Sequence, residues 1–309
     1  MWAMDQVRQS IVNKRIPPLN LWYGEERFFM QEALKLLKDN YLKEDPSGSA
    51  IEVFSGKNSA PEEIVAAANT MSFFSGKLII VEDIPYFQEG QGEALEPYYA
   101  YFDNPNPGTC LVFLAPSINR GRKFYKAIEK QGAVLEFVSP KKTQEWLAWL
   151  EQELAVRGKT MKPQVKNLFL EWGGHQVGVL SQELNKLCAY VEGKEITAED
   201  VRALVPQAVE ATIFELLDAV AARSQKSAVQ KLQQVLRQEH PLKVLTMLTR
   251  QVRLLLGASV LRQQGRGVEE ASRLMGIKPF EAQKIWQKAA QLTWEQLSWA
   301  LQECLEVEV

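Results

Sequence analysis

With only two histidines and three cysteines in 309 residues, the chain has little from which to build a metal centre or a disulfide framework. A structural zinc site draws on four closely spaced Cys or His ligands. Cys110, Cys188 and Cys304 lie far apart, and an odd, unclustered count suits reduced thiols. His175 follows Gly173-Gly174 in a turn and His240 precedes Pro241 at a helix boundary, so both read as surface or capping residues. No paired histidines and no nucleophile elbow are present, which argues against self-contained hydrolytic chemistry. Long apolar runs are missing as well. None approaches the roughly 20 residues a membrane span needs, and residues 1–15, with Asp5, Arg8 and Lys14 among apolar side chains, lack a signal-peptide core.

Net charge is scarce too. Thirty-six basic residues stand against 38 acidic ones, a formal charge of -2. With 46% hydrophobic and 24% charged residues, long intrinsic disorder is excluded. At roughly 150 residues per domain the length implies two or three domains.

Residues 18–138 alternate short β-like runs with helical stretches. Strands are predicted at 19–23, 50–54, 77–84, 109–115 and 133–138. Most are continuous apolar runs, such as Leu78-Ile79-Ile80-Val81 and Leu111-Val112-Phe113-Leu114, as expected of strands covered on both faces. Helices are predicted at 25–42, 61–71, 93–102 and 121–131. In the first, Phe28, Phe29, Ala33, Leu36 and Leu37 recur near the helical period. Ala60-Pro61-Glu62-Glu63 sets proline and two acids in a first turn. Strand-helix alternation predicts a parallel sheet with helices on both faces.

After Ser139-Pro140 the β signal disappears. Short helices are predicted at 143–156, 162–172, 176–191 and 198–204, with Leu180, Leu184, Leu187 and Val191 forming one stripe. Thr197 reads as an N-cap, with Asp200 three residues on. From Val209 onward the pattern is helical throughout, at 213–222, 228–238, 242–263, 268–275, 279–291 and 294–305, punctuated by Pro241, Gly265, Gly267 and Gly276. The predicted fold class is therefore α/β plus all-α, in three domains: 1–138, 139–208 and 209–309.

Charge divides along these boundaries. Residues 1–138 hold 14 basic and 18 acidic side chains, residues 139–208 hold 9 and 9, and residues 223–288 hold 13 and 4, a net of +9. Few aromatics interrupt that last segment, so it lacks the stacking pattern of a single-strand binder. Two readings of it stand: a solvated helix surface, or a surface for a phosphate backbone or an acidic partner.

In an α/β domain the natural ligand position is the loop after the first strand. A nucleoside triphosphatase carries G-x-x-x-x-G-K-[ST] there. This chain reads Tyr23-Gly24-Glu25-Glu26-Arg27, with one glycine, no Lys-Ser/Thr pair and two carboxylates where phosphate charge would gather. Like charges oppose one another at that distance, so ATP hydrolysis is not expected. Glu82-Asp83, after an apolar strand, resemble metal-binding acids but read more simply as a solvated strand end. Arg120-Gly121-Arg122-Lys123 could meet an anion, or form a polar face above Phe124 and Tyr125.

The most informative short stretch is Ala68-Asn69-Thr70-Met71-Ser72-Phe73-Phe74-Ser75-Gly76-Lys77. Turns are usually polar, yet Met71, Phe73 and Phe74 precede this glycine turn. They either pack inward on the sheet edge or project as an apolar knob, and a projecting pair of rings would be a binding hot spot.

Four segments in order resemble one family. Leu21-Trp22-Tyr23-Gly24-Glu25-Glu26, the run from Met71 to Val81, Leu180-Ser181-Gln182-Glu183-Leu184-Asn185-Lys186-Leu187, and the helix from Lys243 to Arg253 are similar to the delta subunit of the bacterial DNA polymerase III clamp loader. No single motif is diagnostic; the ordered set spans essentially the whole chain. The resemblance implies an AAA+-like three-domain architecture: a parallel-sheet module with a degenerate phosphate loop at Gly24, Glu25 and Glu26, a helical lid, and a C-terminal helical collar. It implies a non-catalytic subunit of the DNA polymerase III holoenzyme, a DNA-directed DNA polymerase, that binds and opens the ring-shaped sliding clamp without a cofactor of its own. By resemblance Met71, Phe73 and Phe74 become the clamp-binding element, and Arg250 and Arg253 become possible DNA or subunit contacts. The implied partners are the sliding clamp (beta), the clamp-loader ATPase subunits and a delta-prime subunit in a five-subunit ring, and primed DNA, in the cytoplasm and without a membrane. Family members usually continue past the final helix, whereas this chain stops at Glu306-Val307-Glu308-Val309, a departure that implies a last collar helix either short or truncated. The alternative class is another AAA+-type replication ATPase or loader with its own nucleotide site; the missing lysine loop sets the chain apart from it. An α/β small-molecule enzyme would need a catalytic constellation that the sequence lacks. An independent DNA-binding protein would rely on residues 223–288.

Overall fold

A computed structural model describes residues 3–71, 76–87, 95–174, 176–222, 224–277 and 279–308. The chain forms two compact units, Met1–Ser139 and Pro140–Val309. The first contains α1 (Ala3–Val12), β1 (Leu19–Tyr23), α2 (Arg27–Leu42), β2 (Ile51–Ser55), α3 (Pro61–Asn69), β3 (Lys77–Glu82), α4 (Glu96–Asp103), β4 (Thr109–Ala115), α5 (Lys123–Gln131) and β5 (Ala133–Glu136). The five strands form one parallel sheet in the order β2-β3-β4-β1-β5. Side chains alternate across a strand, and here both sets are buried. Leu19, Leu21, Ile79, Val81, Leu111 and Phe113 join Ile64, Tyr98, Phe102, Phe124 and Ile128 of α3, α4 and α5 in one core. The intervening Trp22, Leu78, Ile80 and Val112 are equally buried, so burial on both faces is what made these strands read as unbroken apolar runs. Edge-to-face rings, Tyr98–Phe113 at 5.2 Å and Phe113–Phe124 at 5.1 Å, fill the centre. Cys110 lies within the sheet with no exposure to speak of, and burial pushes its thiol up to about 12.

The second unit contains α6 (Thr143–Val156), β6 (Thr160–Met161), α7 (Pro163–Gly173), α8 (Val177–Tyr190), β7 (Glu195–Ile196), α9 (Ala198–Leu204), α10 (Val209–Ala221), α11 (Gln225–Leu236), α12 (Pro241–Gln263), α13 (Val268–Met275), α14 (Pro279–Ala289) and α15 (Trp294–Glu308). The expectation that β structure ends at Ser139-Pro140 is corrected. β6 and β7 pair in parallel, Thr160 with Glu195 and Met161 with Ile196. Two-residue strands are too short to carry a period of two, so the sequence pattern could not show them. α1 was likewise not foreseen as an element. Several predicted ends also move. The helix expected to reach Met71 stops at Asn69, and the strand expected to reach Ile84 stops at Glu82, where Asp83 turns into the left-handed region at φ 51°.

α12 contains no apolar run of about 20 residues, since Lys243, Arg250 and Arg253 interrupt it. By length and composition alone it would still be long and apolar enough to cross a membrane, with an 18-residue window at a mean hydropathy of 1.3, a test that the core helix of a soluble protein also passes. In this fold it is the central helix of its unit, touching α10, α11, α13, α14 and α15, with Val252, Leu255 and Ala258 buried. Its start is capped as expected: His240 Nδ1 accepts from the Leu242 amide at 3.3 Å, which satisfies one orphan donor. His175 lies outside the described residues.

The Thr197 cap forms in full. Asp200 N donates to Thr197 Oγ1 at 3.3 Å, and Thr197 N donates to Asp200 Oδ2 at 2.8 Å. Thr197→Ala removes the side-chain acceptor and is expected to cost about 1 kcal/mol. Amide exchange in α9 should speed up by about the corresponding factor of five, while exchange in β1 and β4 stays unchanged.

Candidate functional site

Two loops at opposite ends of the parallel sheet define the first unit chemically. At the C-terminal end of β1, only Gly24, Glu25 and Glu26 separate the strand from α2. Gly24 is buried, at φ +136°, and a Cβ placed on it would stand 2.0 Å from the Phe137 carbonyl oxygen. Glu26 N donates to that same oxygen at 3.1 Å, and Phe137 N donates to Tyr23 O at 2.7 Å. The segment after β5 is thus laced directly onto the loop. Glu26 caps α2: its Oε1 accepts from Phe28 N at 3.2 Å, and its Oε2 accepts from the Ser139 hydroxyl. The N-terminus of a helix after a first strand is where an α/β protein holds a phosphate. Here a carboxylate of the chain itself takes that place, and Glu25 stands exposed beside it. Glu82 and Asp83 end β3 nearby, half-buried and exposed respectively. Among the described residues no cluster of three or more His, Cys, Asp or Glu could hold a metal. Arg120 Nη2 donates to the Tyr23 hydroxyl at 3.1 Å, and Phe124 and Tyr125 lie buried below, so this basic run is a polar face over the core.

The second loop enters β3 at the other end of the sheet, since β1, β4 and β3 run parallel. Its base is tightly tied. Thr70 N and Oγ1 donate to Ala66 O at 3.1 and 2.9 Å, Lys77 Nζ donates to Ala67 O at 2.8 Å, and Asn106 Nδ2 and Thr109 Oγ1 both donate to Ala68 O, at 3.1 and 2.8 Å. Three of the carbonyls that a helix end leaves orphaned, those of Ala66, Ala67 and Ala68, are therefore answered. Next to this base Met71 is 90% exposed. Phe73 and Phe74 lie outside the described residues.

Lys77 is the residue that sequence reasoning overlooked. It is 6% exposed and pairs with Glu52 at 2.6 Å while holding Ala67 O. A lysine heading an apolar strand run was the available signal, because a lysine is rarely buried unpaired. Lys77→Met keeps the apolar stem but removes both bonds. The expected loss is about 1–3 kcal/mol, read as a lower urea midpoint of the first unit; Lys77→Arg should recover part of it.

In the second unit, the basic surplus of residues 223–288 meets acids folded against it. Arg250 pairs with Glu281 at 2.7 Å, Lys284 with Glu171 at 3.3 Å, Lys288 with Asp218 at 2.5 Å, and Lys231 with Glu215. Lys243 and Arg266 pair with Glu239 and Glu270 one turn away. Glu171, Glu215 and Asp218 all lie outside the segment, so its local +9 is partly neutralised by the tertiary structure. Arg253, exposed on α12, has no carboxylate partner among the described residues. The two arginines are thus not equivalent: Arg250 braces α12 to α14, and Arg253 faces solvent.

A five-stranded parallel sheet ordered 2-3-4-1-5, followed by a largely helical unit, defines an AAA+-like fold. Residues 21–138 match the family described as DNA polymerase III, delta subunit, and residues 210–309 match the DNA polymerase III delta subunit, C-terminal domain. DNA polymerase III subunit delta of Bacillus subtilis is 26% identical over 310 aligned positions, covering 94% of this chain and 86% of that protein. The solved structure of the Bacillus subtilis DNA clamp loader delta protein superposes with a TM-score of 0.73 at 23% identity, covering 99% of this chain and 94% of the other. The chain belongs to the delta subunit family of DNA polymerase III, and its role is that of a clamp-loader component.

Proposed function

We propose that this subunit is non-catalytic and works by contact, inserting Met71, Phe73 and Phe74 into the ring-shaped sliding clamp and stabilising its open form. The observation that carries this reading is the loop between α3 and β3. Its base is held by five side-chain or backbone donors, and its first apolar residue, Met71, stands 90% exposed. An apolar knob on a rigid base loses little conformational freedom when it docks, which favours affinity. Support for the absence of turnover comes from the other loop, where Glu26 caps the helix that would otherwise cradle a phosphate. On this reading residues 139–208 form a lid and residues 209–309 a collar. The collar joins clamp-loader ATPase subunits and a delta-prime subunit in a five-membered ring around primed DNA, in the cytoplasm. Arg253 is the better placed of the two α12 arginines for DNA or a neighbouring subunit.

Opening a ring from 1:99 to 99:1 needs about 5.5 kcal/mol of differential binding. Two aromatic hot spots at about 2–4 kcal/mol each are of that size, provided they bind the open form better than the closed one. The direct experiment is co-purification of the chain with the cognate clamp and the clamp-loader ATPase subunit, alongside an ATP hydrolysis assay on the chain alone. We expect both partners to be retained and hydrolysis to stay at background. Failure to retain the clamp, or turnover by the isolated chain, would replace this reading with that of an active AAA+-type loader.

A further inference from the structure

In the second unit, α15 packs mainly on α12. Leu297 is buried in the same core as Leu255 and Ala258 of α12, and Leu301 and Cys304, four and seven residues on, are half-buried on that side. The opposite side meets solvent. Trp299 is 61% exposed there, and Trp294 and Leu305 are exposed on the flank. Tryptophans are highly buried on average, and an exposed indole is a frequent anchor of interfaces. Carboxylates surround this one. Glu295 and Glu303 lie four residues to either side of Trp299 and Glu306 lies seven residues on, all exposed and on one helical face. The helix holds four glutamates and no lysine or arginine. Gln302 donates to Glu306 at 3.3 Å, and no cation pairs with these three carboxylates among the described residues. Glu303 and Glu306 oppose one another across a single turn, so the acidity does nothing for the helix itself. The face of the indole is equally unused. Trp286 of α14 carries the Arg262 guanidinium 5.2 Å from its ring centroid, whereas neither a ring nor a cation stands over Trp299 among the described residues.

We propose that this face of α15 docks a basic, arginine-bearing helical face of a neighbouring subunit, with an arginine of that neighbour stacked on Trp299 and paired to the glutamates around it. Tryptophan is the strongest side-chain platform for a guanidinium. A guanidinium so stacked presents its donors edgewise, where Glu295 and Glu303 stand one turn to either side. Trp294 and Leu305 then supply apolar area beside the charged centre. Carboxylates at this density repel a phosphate backbone and an anionic lipid surface alike, so the occupant is a protein. The chain shows on its own surface what a complementary face looks like. On α11 and the start of α12, Val229, Leu236 and Leu242 are exposed beside Lys226 and Arg237. Subunits of like fold that meet head to tail bring two different faces together. The inference rests on the ring reading above, which names the clamp-loader ATPase subunits as neighbours; it adds the surface and the chemistry of the contact.

The test is surface plasmon resonance of the full chain against the cognate clamp-loader ATPase subunit at several salt concentrations, with sedimentation of the chain alone beside it. Trp299→Ala should weaken binding by about 30-fold or more, and Trp299→Phe by less, because a smaller ring still offers a face to the cation. Glu295→Gln, Glu303→Gln and Glu306→Gln together should weaken it by about tenfold and flatten its salt dependence. All these positions are exposed, and thermal midpoints by circular dichroism should not change. The docking face is overturned if the parent chain binds the ATPase subunit and both the Trp299→Ala and the triple-glutamine variants bind within twofold of it. It is equally overturned if the chain alone self-associates and Trp299→Ala abolishes that, since the occupant is then a second copy. No binding by the parent chain would instead overturn the ring reading itself, and this inference with it.

Discussion

Replacing Phe73 and Phe74 together with alanine is expected to weaken clamp binding by at least about 100-fold, with the fold of the subunit unchanged. Ala66, Ala67 and Ala68 at the end of α3 are held by Thr70, Lys77, Asn106 and Thr109, none of which the substitutions touch. On the proposed function the two rings are contact area in the complex, and truncating them removes that area. At about 1.5–3 kcal/mol of transfer energy per ring the pair is worth two to four orders of magnitude in affinity. Met71→Ala, at a residue 90% exposed in the free chain, should have a smaller effect, because a flexible thioether also loses rotamer freedom on docking. Surface plasmon resonance against the immobilised clamp measures all three variants. An affinity within threefold of the parent for the double variant would remove these residues from the clamp interface, and with them the contact mechanism.

The second large effect concerns the loop at the other end of the sheet. Gly24→Ala is expected to destabilise the first unit by more than about 3 kcal/mol. Backbone at φ +136° is open to glycine and strained for any other residue. Space is also lacking: the new methyl group would stand 2.0 Å from Phe137 O, 2.7 Å from its carbonyl carbon and 2.9 Å from its nitrogen. Those are backbone atoms engaged by Glu26 N and by Tyr23 O, so they cannot move aside without loosening β5 from the end of β1. The loop after β1 is therefore a structural joint, and its glycine is required by close packing. Thermal unfolding followed by circular dichroism provides the measurement; an unchanged midpoint would show that the joint relaxes and that the close approach is not essential.

Much of this arrangement was legible in the residues. The strands announced themselves because both of their faces are buried, which leaves no polar position to interrupt a run such as Leu78-Ile79-Ile80-Val81. The Thr197 cap and the Gly276 helix stop, which takes the left-handed conformation at φ 64°, are local devices with local signatures. The composition of the Gly24-Glu25-Glu26 loop was legible for the same reason: an absent lysine and two carboxylates need no partner to be read. α1 and the β6-β7 pair were not legible. Two-residue strands have no period, and Thr160 meets Glu195 only because two intervening helices bring them together. The strand ends shifted where a single residue changed conformation, as at Asp83.

What sequence alone determined was the set of parts: a buried parallel sheet, a helical remainder, a phosphate loop without its lysine, and an apolar stretch beginning at Met71 where a turn should be polar. Which atoms meet was left to the tertiary structure. It placed the Glu26 carboxylate between Phe28 N and Ser139, more than a hundred residues away in the chain, and so filled the anion position from within. It closed the end of α3 with Lys77, Asn106 and Thr109. It also brought Glu171, Glu215 and Asp218 against a segment whose own charge is +9. The physical reason is common to all three. Patterns along a chain report the environment of a face, whereas hydrogen bonds and ion pairs act over a few ångströms and depend on which distant residues the fold brings within that reach.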